Sequence, residues 1–167
     1  MSEKKEPQGD RNLALLGAAV LTSGLGIGFL PLCPGTFASL LPALFAASAL
    51  QGGASRAFVA AVLFLLLVVF GLATALFGGQ AERRARVQDP RHVVSDEIAG
   101  QSLALLPACD LASCLLGFVL FRFLDVVKPW PVKSFEAIGG GLGILADDLA
   151  AGALSALGLV AYTYLFV

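Results

Sequence analysis

Long apolar segments alternate with short polar ones along most of the chain. The longest uncharged segment runs from Ala57 to Phe77. As a helix with a rise of 1.5 Å per residue it is about 32 Å long, which is enough to cross a bilayer. The last apolar segment, Gly139 to Val167, is interrupted only by Asp147 and Asp148. Each of these two segments predicts a membrane-spanning helix.

The apolar segments near the N-terminus are shorter and contain helix-breaking residues. The segment Leu13–Leu32 is interrupted by glycines from Gly24 onward, so we expect a helix that stops at the glycines or re-enters the membrane. A spanning path for this segment is the alternative. The next apolar segment, Thr36–Leu50, is short and contains Pro42.

Two further apolar runs, Ile98–Leu106 and Leu111–Phe121, are separated by Pro107 and Asp110. Each run is short for a full crossing, so together they predict a helical hairpin. The first residues of the chain are rich in charge. They predict an exposed N-terminal tail over residues 1–12, followed by a single domain over residues 13–167.

Composition excludes a water-soluble domain. Of the 167 residues, 57% are hydrophobic and 14% are charged, whereas a soluble domain has about 45–50% apolar and about 25% charged residues. A disordered chain and a disulfide-stapled miniprotein are excluded as well, which leaves an integral membrane protein. The net charge of −1 gives no sign of nucleic-acid binding. The three cysteines, Cys33, Cys109 and Cys114, are interpreted as small buried side chains.

Cationic residues are distributed unevenly between the predicted loops. If the helix 57–77, the hairpin and the last helix all cross the membrane, the polar segments 78–97 and 122–138 lie on one side. These segments hold seven cationic residues, against Arg56 alone on the other side. The positive-inside rule therefore predicts that both segments face the cytoplasm. The seven residues are Arg83, Arg84, Arg86, Arg91, Arg122, Lys128 and Lys133.

This topology brings four polar features to the same membrane face. They are Pro34-Gly35-Thr36, Asp96-Glu97, the run from Arg122 to Lys128, and Asp147-Asp148. A carboxylate inside an apolar helix costs roughly 3 kcal/mol, so Asp147 and Asp148 favour a functional role. Asp96 and Glu97 also fit a simple helix N-terminus. Arg122, Asp125 and Lys128 share a helical face and also fit a solvated ion-pair ladder.

The side chains in these features suit one kind of chemistry. Carboxylate oxygens without a set of thiolate or imidazole ligands suit a hard cation such as Mg²⁺, and Mg²⁺ suits phosphate chemistry. Arg122 and Lys128 are candidate phosphate ligands, and backbone amides near Thr36, at a helix start, can bind the same anion. A site at the membrane face predicts a lipid substrate whose phosphate lies at the interface.

Four motifs follow one another along the chain, namely LPLCPGTFASL, DPRHVVSDEIAG, FRFLDVVKPWPV and GGGLGILADDLAAG. Together they resemble the phosphatidylglycerophosphatase A family. The resemblance implies an all-α fold, a compact polytopic membrane protein of about six helices, some short or re-entrant. It also implies Mg²⁺-dependent hydrolysis of phosphatidylglycerophosphate to phosphatidylglycerol and inorganic phosphate, at the cytoplasmic side of the bacterial inner membrane. The matching positions are Pro34, Gly35, Thr36, Asp96, Glu97, Arg122, Asp125, Lys128, Pro129, Gly140, Gly141, Asp147 and Asp148.

The resulting hypothesis is a lipid phosphomonoesterase whose partner is a phospholipid. The assigned roles are Mg²⁺ ligands for Asp96, Glu97, Asp147 and Asp148, a ligand or base for Asp125, and phosphate binding for Thr36, Arg122 and Lys128. Water activated by the cation is the expected nucleophile, and a carboxylate is the alternative. Two rival functions are a transport protein, whose intramembrane acids line an ion path, and a membrane scaffold. Nothing in the sequence indicates an oligomer.

Overall fold

The computed structural model of the protein describes residues 8–87, 89–130 and 132–166. These residues form helices and turns, with no β-strand among them, in agreement with the all-α prediction. The helices are α1 (Gln8–Thr22), α2 (Pro34–Gln51), α3 (Arg56–Ala73), α4 (Gly79–Ala85), α5 (Ser95–Ala104), α6 (Leu111–Val127) and α7 (Gly140–Phe166). A π-helical turn, Thr74–Gly78, joins α3 to α4 without a break. If α3 and α4 are counted as one continuous helix, the described residues form about six helical rods, as expected.

Two of these rods are long and apolar enough to cross a membrane. One is the continuous helix Arg56–Ala85, of 30 residues, and the other is α7, of 27 residues. Both were predicted from the apolar pattern. Many of their large apolar side chains, such as Phe64 and Leu157, are exposed, as expected for helices that face lipid. The first rod extends further than predicted, because the polar segment after Phe77 continues as helix α4.

The first apolar segment forms a helix that stops at the glycines, as predicted. α1 ends at Thr22, and Gly24, Leu25 and Gly26 have positive φ angles of 56°, 60° and 99°. Left-handed backbone of this kind ends an α-helix. With 15 residues, α1 is roughly 22 Å long. It begins at Gln8, inside the predicted tail, and residues 1–7 of that tail lie outside the described residues.

The predicted helical hairpin is confirmed, with α5 and α6 joined by residues 105–110. Asp110 caps α6: its Oδ1 accepts a hydrogen bond from the Ser113 backbone N–H at 2.7 Å, and Ser113 Oγ accepts one from the Asp110 N–H at 2.9 Å. This capping box satisfies amides that the first helical turn leaves without partners. The hydrogen bonds from Ser113 lower the pKa of Asp110. α6 then continues to Val127, beyond its predicted end at Phe121.

The short helix α5 lies at the centre of the fold. It packs against α2, α3, α6 and α7, and its residues from Ile98 to Ser102 are all buried. Ile98 belongs to one hydrophobic cluster with Phe70 of α3 and Leu145 of α7. Because Asp96 and Glu97 form the first turn of this helix, burial of α5 also draws two carboxylates into the protein.

Glycines allow α5 and α7 to approach each other closely. A Cβ atom at Gly152 would lie 2.4 Å from the carbonyl oxygen of Gly100, and one at Gly100 would lie 2.7 Å from the carbonyl oxygen of Asp148. Both distances are far inside van der Waals contact, so neither position accepts a side chain without a shift of backbone. Small residues have this role at many helix contacts in membrane proteins.

We predict that Gly152→Ala destabilises the protein by roughly 1–3 kcal/mol, because the added methyl group collides with the α5 backbone. Thermal unfolding in detergent measures the effect. Gly17→Ala is the matched control, since a Cβ atom at Gly17 in α1 has nothing within 4 Å, and alanine is the better helix former. Equal melting temperatures for Gly152→Ala and the wild type would contradict the close contact.

We also predict that Asp110→Ala lowers the stability by about 1 kcal/mol through loss of the helix cap, and that Asp110→Asn loses less. The lowered pKa means that the charged carboxylate is the stabilised form. Its contribution is present above the unfolded pKa of about 3.9 and is lost as the pH falls through the lower folded value. Thermal melts of wild type and Asp110→Asn should therefore converge at strongly acidic pH. A constant difference across pH would refute this account.

Candidate active site

Three carboxylates from two helices form a buried acidic cluster, made of Asp96, Glu97 and Asp148. Asp96 and Glu97 lie in the first turn of α5, and Asp148 lies in α7. One oxygen atom of each side chain lies within 4.8 Å of the others. Asp96 and Asp148 are only 4% and 3% exposed. All three were predicted site residues, and the contact between α5 and α7 brings them together.

Each member of the acidic cluster has a buried oxygen without a hydrogen-bond partner among the described residues. These atoms are Asp96 Oδ1, Glu97 Oε2 and Asp148 Oδ2. A buried polar atom without a partner is unfavourable, and a cation between the three side chains would supply these carboxylates with the counter-charge that they lack. Carboxylate oxygens are the ligands that Mg²⁺ prefers. The residues present therefore fit the predicted cation.

Burial raises the pKa of Asp96 and of Glu97 well above the ordinary range. Neighbouring carboxylates raise both further, since Glu97 and Asp89 repel the charge on Asp96, and Asp148 repels the charge on Glu97. The Arg122 guanidinium opposes this effect at Glu97. A bound cation would act in the same direction as Arg122, because it stabilises the charged form of each ligand.

A buried pair of hydroxyl groups fixes the start of α5. Thr74, at the start of the π-helical turn, and Ser95, at the start of α5, are both fully buried, and their hydroxyl oxygens lie 2.5 Å apart. Thr74 Oγ1 also donates to the carbonyl oxygen of Phe70, so Ser95 is the donor to Thr74. Because Asp96 directly follows Ser95, this pair helps to position the acidic cluster. Sequence analysis missed it, since neither residue carries a charge.

Arg122 reaches the site from α6. Its guanidinium pairs with Asp125 at 2.8 Å and donates to Ser39 Oγ at 3.2 Å. Ser39 in turn donates to the carbonyl oxygen of Gly35 at 2.8 Å, so this chain of bonds ties α6 to the start of α2. Asp125 also lies within electrostatic range of Asp148. Both predicted residues of α6 therefore face the acidic cluster.

Lys128 and Asp147 form a second ion pair, in which Lys128 Nζ donates to Asp147 Oδ2 at 2.5 Å. Consecutive residues of an α-helix point about 100° apart, so Asp147 and Asp148 face different neighbours. Both were predicted as metal ligands together with Asp96 and Glu97. The structure separates them, with Asp148 in the acidic cluster and Asp147 at Lys128.

A cleft of about 370 Å³ opens beside the acidic cluster. Three predicted site residues, Thr36, Glu97 and Arg122, line it. Asp89 and Arg91 line it as well, although sequence analysis assigned neither of them to the site. Both belong to the DPRH segment, within a few residues of the motif carboxylates, and that nearness was the available signal.

Two glycines of the motifs, Gly35 and Gly141, lie where neighbouring atoms leave no room for a side chain. A Cβ atom at Gly35 would lie 1.9 Å from Glu97 Oε1, and one at Gly141 would lie 2.3 Å from the carbonyl oxygen of Thr74. Gly35 therefore leaves room for the Glu97 carboxylate at the start of α2. Gly141 lets α7 approach the π-helical turn in the same way.

The structure has two helices that are long and apolar enough to cross a membrane. It also has a cleft in which guanidinium groups lie near buried carboxylates. Both features are typical of a membrane enzyme that acts on an anionic substrate. Comparison with known families identifies the kind of enzyme. Residues 20–163 match the family model described as Phosphatidylglycerophosphatase A, and the chain belongs to this family. The predicted resemblance is confirmed.

Curated relatives agree with this family. Phosphatidylglycerophosphatase A of Escherichia coli (strain K12) is 35% identical, over 82% of this chain and 78% of that protein. Phosphatidylglycerophosphatase A of Haemophilus influenzae is 31% identical, over 87% of this chain and 88% of that protein. A Bacteroides thetaiotaomicron protein named "Putative phosphatidylinositol-3-phosphatase" is 32% identical, over 81% of this chain and 87% of its own length. No solved structure matches the chain.

This family is one of lipid phosphatases, so the chain is a phosphoric monoester hydrolase. The prediction of an enzyme is therefore confirmed over the two rival functions, a transport protein and a membrane scaffold. The acidic cluster agrees with that outcome, because its carboxylates meet at one point between α5 and α7.

We predict that Gly35→Ala lowers the rate of phosphate release by roughly 100-fold, because the added methyl group displaces the Glu97 carboxylate by more than an ångström. The rate is measured on purified protein in detergent, together with the melting temperature. Gly17→Ala again serves as the control. Full activity in a folded Gly35→Ala variant would mean that the present position of the Glu97 carboxylate is not needed.

Proposed function

We propose that the protein hydrolyses the phosphomonoester of phosphatidylglycerophosphate to phosphatidylglycerol and inorganic phosphate, with Mg²⁺ as cofactor. The observation that carries this proposal is the acidic cluster, in which each carboxylate has an oxygen without a partner among the described residues and from which Glu97 lines a cleft together with Arg122. The choice of substrate is supported by the two relatives that carry the name phosphatidylglycerophosphatase A.

The acidic cluster is the proposed cation site. Asp96, Glu97 and Asp148 would hold Mg²⁺ through one carboxylate oxygen each. The chemistry that the cation supplies when bound is polarisation of a phosphoryl oxygen and a lower pKa for water. Asp147 has a different part in this proposal, because its ion pair with Lys128 fixes the position of that ammonium group.

Arg122 and Lys128 provide the positive charge for the substrate phosphate. The planar guanidinium of Arg122 matches two phosphate oxygens at once, and its bonds to Asp125 and Ser39 orient it before the substrate binds. Thr36, in the first turn of α2, lines the same cleft. Amides of a first helical turn favour an anion, because they have no partner inside the helix.

The proposed reaction breaks the bond between phosphorus and the ester oxygen of the headgroup glycerol. A water oxygen forms the new bond to phosphorus, and the leaving alkoxide takes up a proton from the surrounding water. Asp125 is the proposed base that accepts the proton of the attacking water. Two observations support this role. Asp125 lies within electrostatic range of Glu97 and Asp148, and it is not itself a member of the acidic cluster.

The proposed location is the inner membrane of a bacterial cell, in a multi-pass arrangement with the cleft toward the cytoplasm. Asp89, Arg91 and Arg122 line the cleft, and all three come from the cation-rich segments that the positive-inside rule assigns to the cytoplasm. Val126 also lines the cleft and is 71% exposed. An exposed apolar side chain at this point favours a substrate that enters from the lipid surface.

Asp148→Asn is predicted to lower Mg²⁺-dependent phosphate release by more than about 100-fold, because it removes one charged ligand of the proposed cation. Asp147→Asn is predicted to lose less, about tenfold, since Asp147 contributes an ion pair to Lys128 and is not a member of the acidic cluster. Asp110→Asn is the matched control, as it makes the same chemical change at the cap of α6.

The measurement is phosphate release by purified protein in detergent, with added Mg²⁺ or with EDTA. Phosphatidylglycerophosphate is compared with phosphatidylinositol 3-phosphate, the substrate class in the name of one relative. Full activity in EDTA would refute the Mg²⁺ dependence. A larger loss in Asp147→Asn than in Asp148→Asn would refute the proposed ligand set, and faster release from the inositol lipid would refute the proposed substrate.

A further inference from the structure

Two arginines line the cleft, and their surroundings differ. Arg122 is half-buried and is bonded to Asp125 and Ser39. Arg91 is exposed. No ion pair or side-chain hydrogen bond joins Arg91 to any other residue that the structure describes. One guanidinium is therefore oriented by the protein, while the other lies at the cleft without a partner among the described residues.

The backbone around Arg91 is nevertheless held firmly. The Val94 N–H donates to the carbonyl oxygen of Thr22 at 2.9 Å. The ring of His92 stacks on Phe29, with centroids 6.0 Å apart and planes at 4°, and it lines a separate crevice against α1. Because His92 is held on the side away from the cleft, its neighbour Arg91 is directed to the cleft side.

The cleft is larger than the reacting group requires. Its volume of about 370 Å³ is in the range of sites that take whole small molecules, and it is several times the volume of one phosphate group. A phosphate bound at Arg122 and the acidic cluster leaves space in the cleft beside Arg91. That remaining space is open to solvent and is bordered by a cation.

We propose that Arg91 binds a second phosphate of the substrate, the phosphodiester that joins the diacylglycerol to the rest of the headgroup. This inference rests on the proposed function. Phosphatidylglycerophosphate has that phosphodiester one glycerol unit away from the phosphomonoester, whereas phosphatidate has only a single phosphate, attached to the diacylglycerol itself. Arg91 is thus a specificity-determining residue, which favours lipids with two phosphates in the headgroup.

The test compares Arg91→Gln and Arg91→Lys with the wild type in uncharged detergent micelles that contain Mg²⁺. Arg83→Gln is the control, because Arg83 is an exposed arginine of α4 that does not line the cleft. The substrates are phosphatidylglycerophosphate and phosphatidate with the same acyl chains. Two soluble competitors accompany them: deacylated phosphatidylglycerophosphate, which has both phosphates, and glycerol 3-phosphate, which has one.

For Arg91→Gln we expect kcat/KM on phosphatidylglycerophosphate to fall by roughly tenfold, mainly through KM, because a charged contact present throughout the reaction is lost. The inhibition constant of the two-phosphate competitor should rise by a similar factor. The values for phosphatidate and glycerol 3-phosphate should not change. Arg91→Lys should retain part of the selectivity, since it keeps the charge but not the planar geometry.

Equal losses on both lipids and both competitors would overturn the inference, because Arg91 would then serve the phosphomonoester or the fold. No change in any of these values would overturn it as well. An equal loss of kcat/KM in Arg83→Gln would also overturn it, because the effect would then come from the general surface charge and not from the cleft. Wild-type protein that releases phosphate from neither lipid would overturn the proposed function itself, and this inference with it.

Discussion

The backbones of α5 and α7 touch at Gly100 and Gly152, and the position of nearly every functional group depends on this contact. Packed helices ordinarily lie about 8–10 Å apart, at a distance set by their side chains. Here the absence of Cβ atoms brings the chains closer, so carboxylates from the two helices meet within 4.8 Å. Residues of α5 also touch α2, α3 and α6. The same short helix therefore sets the relative position of the acidic cluster, Arg122 and the start of α2.

The acidic cluster places several carboxylates together in the buried interior, where a negative charge is least stable. Burial and mutual repulsion raise the pKa of Asp96 and Glu97, so in the absence of a counter-charge these side chains favour their neutral forms. The protein supplies part of the counter-charge through Arg122, and one oxygen of each carboxylate has no hydrogen-bond partner in the part of the chain that the structure describes. Such an arrangement lowers the stability of the fold and is retained where function requires it. A cation bound to this site would stabilise the fold, since it would bind the folded form alone.

Polarity along the chain was enough to predict the apolar rods, the α5–α6 hairpin and the three members of the acidic cluster. It was not enough to distinguish Asp147 from Asp148, because both lie in the same apolar surroundings and only the contact with α5 decides which one turns toward it. Asp89 and Arg91 lie in a polar segment that is typical of a solvated loop. Their place in the cleft depends on the contacts of His92 with Phe29 and of Val94 with Thr22. The hydroxyl pair of Thr74 and Ser95 has no signature at all, since a buried hydroxyl and a surface hydroxyl look the same in a sequence.

The π-helical turn at Thr74–Gly78 limits how the chain length can vary. A π turn holds one residue more than an α turn, and it takes up that residue locally, so α3 and α4 keep the faces they would have in one regular α-helix. Deletion of a residue from the regular part of α3 or α4 would instead rotate the rest of the helix by about 100°. The Glu82 side chain, which now accepts a hydrogen bond from the Asp89 N–H at 3.2 Å, would then point elsewhere. Loops on most proteins tolerate insertions and deletions. In this protein the number of residues between the apolar span and the cleft is itself under constraint, because Glu82 must lie where its carboxylate reaches the Asp89 N–H.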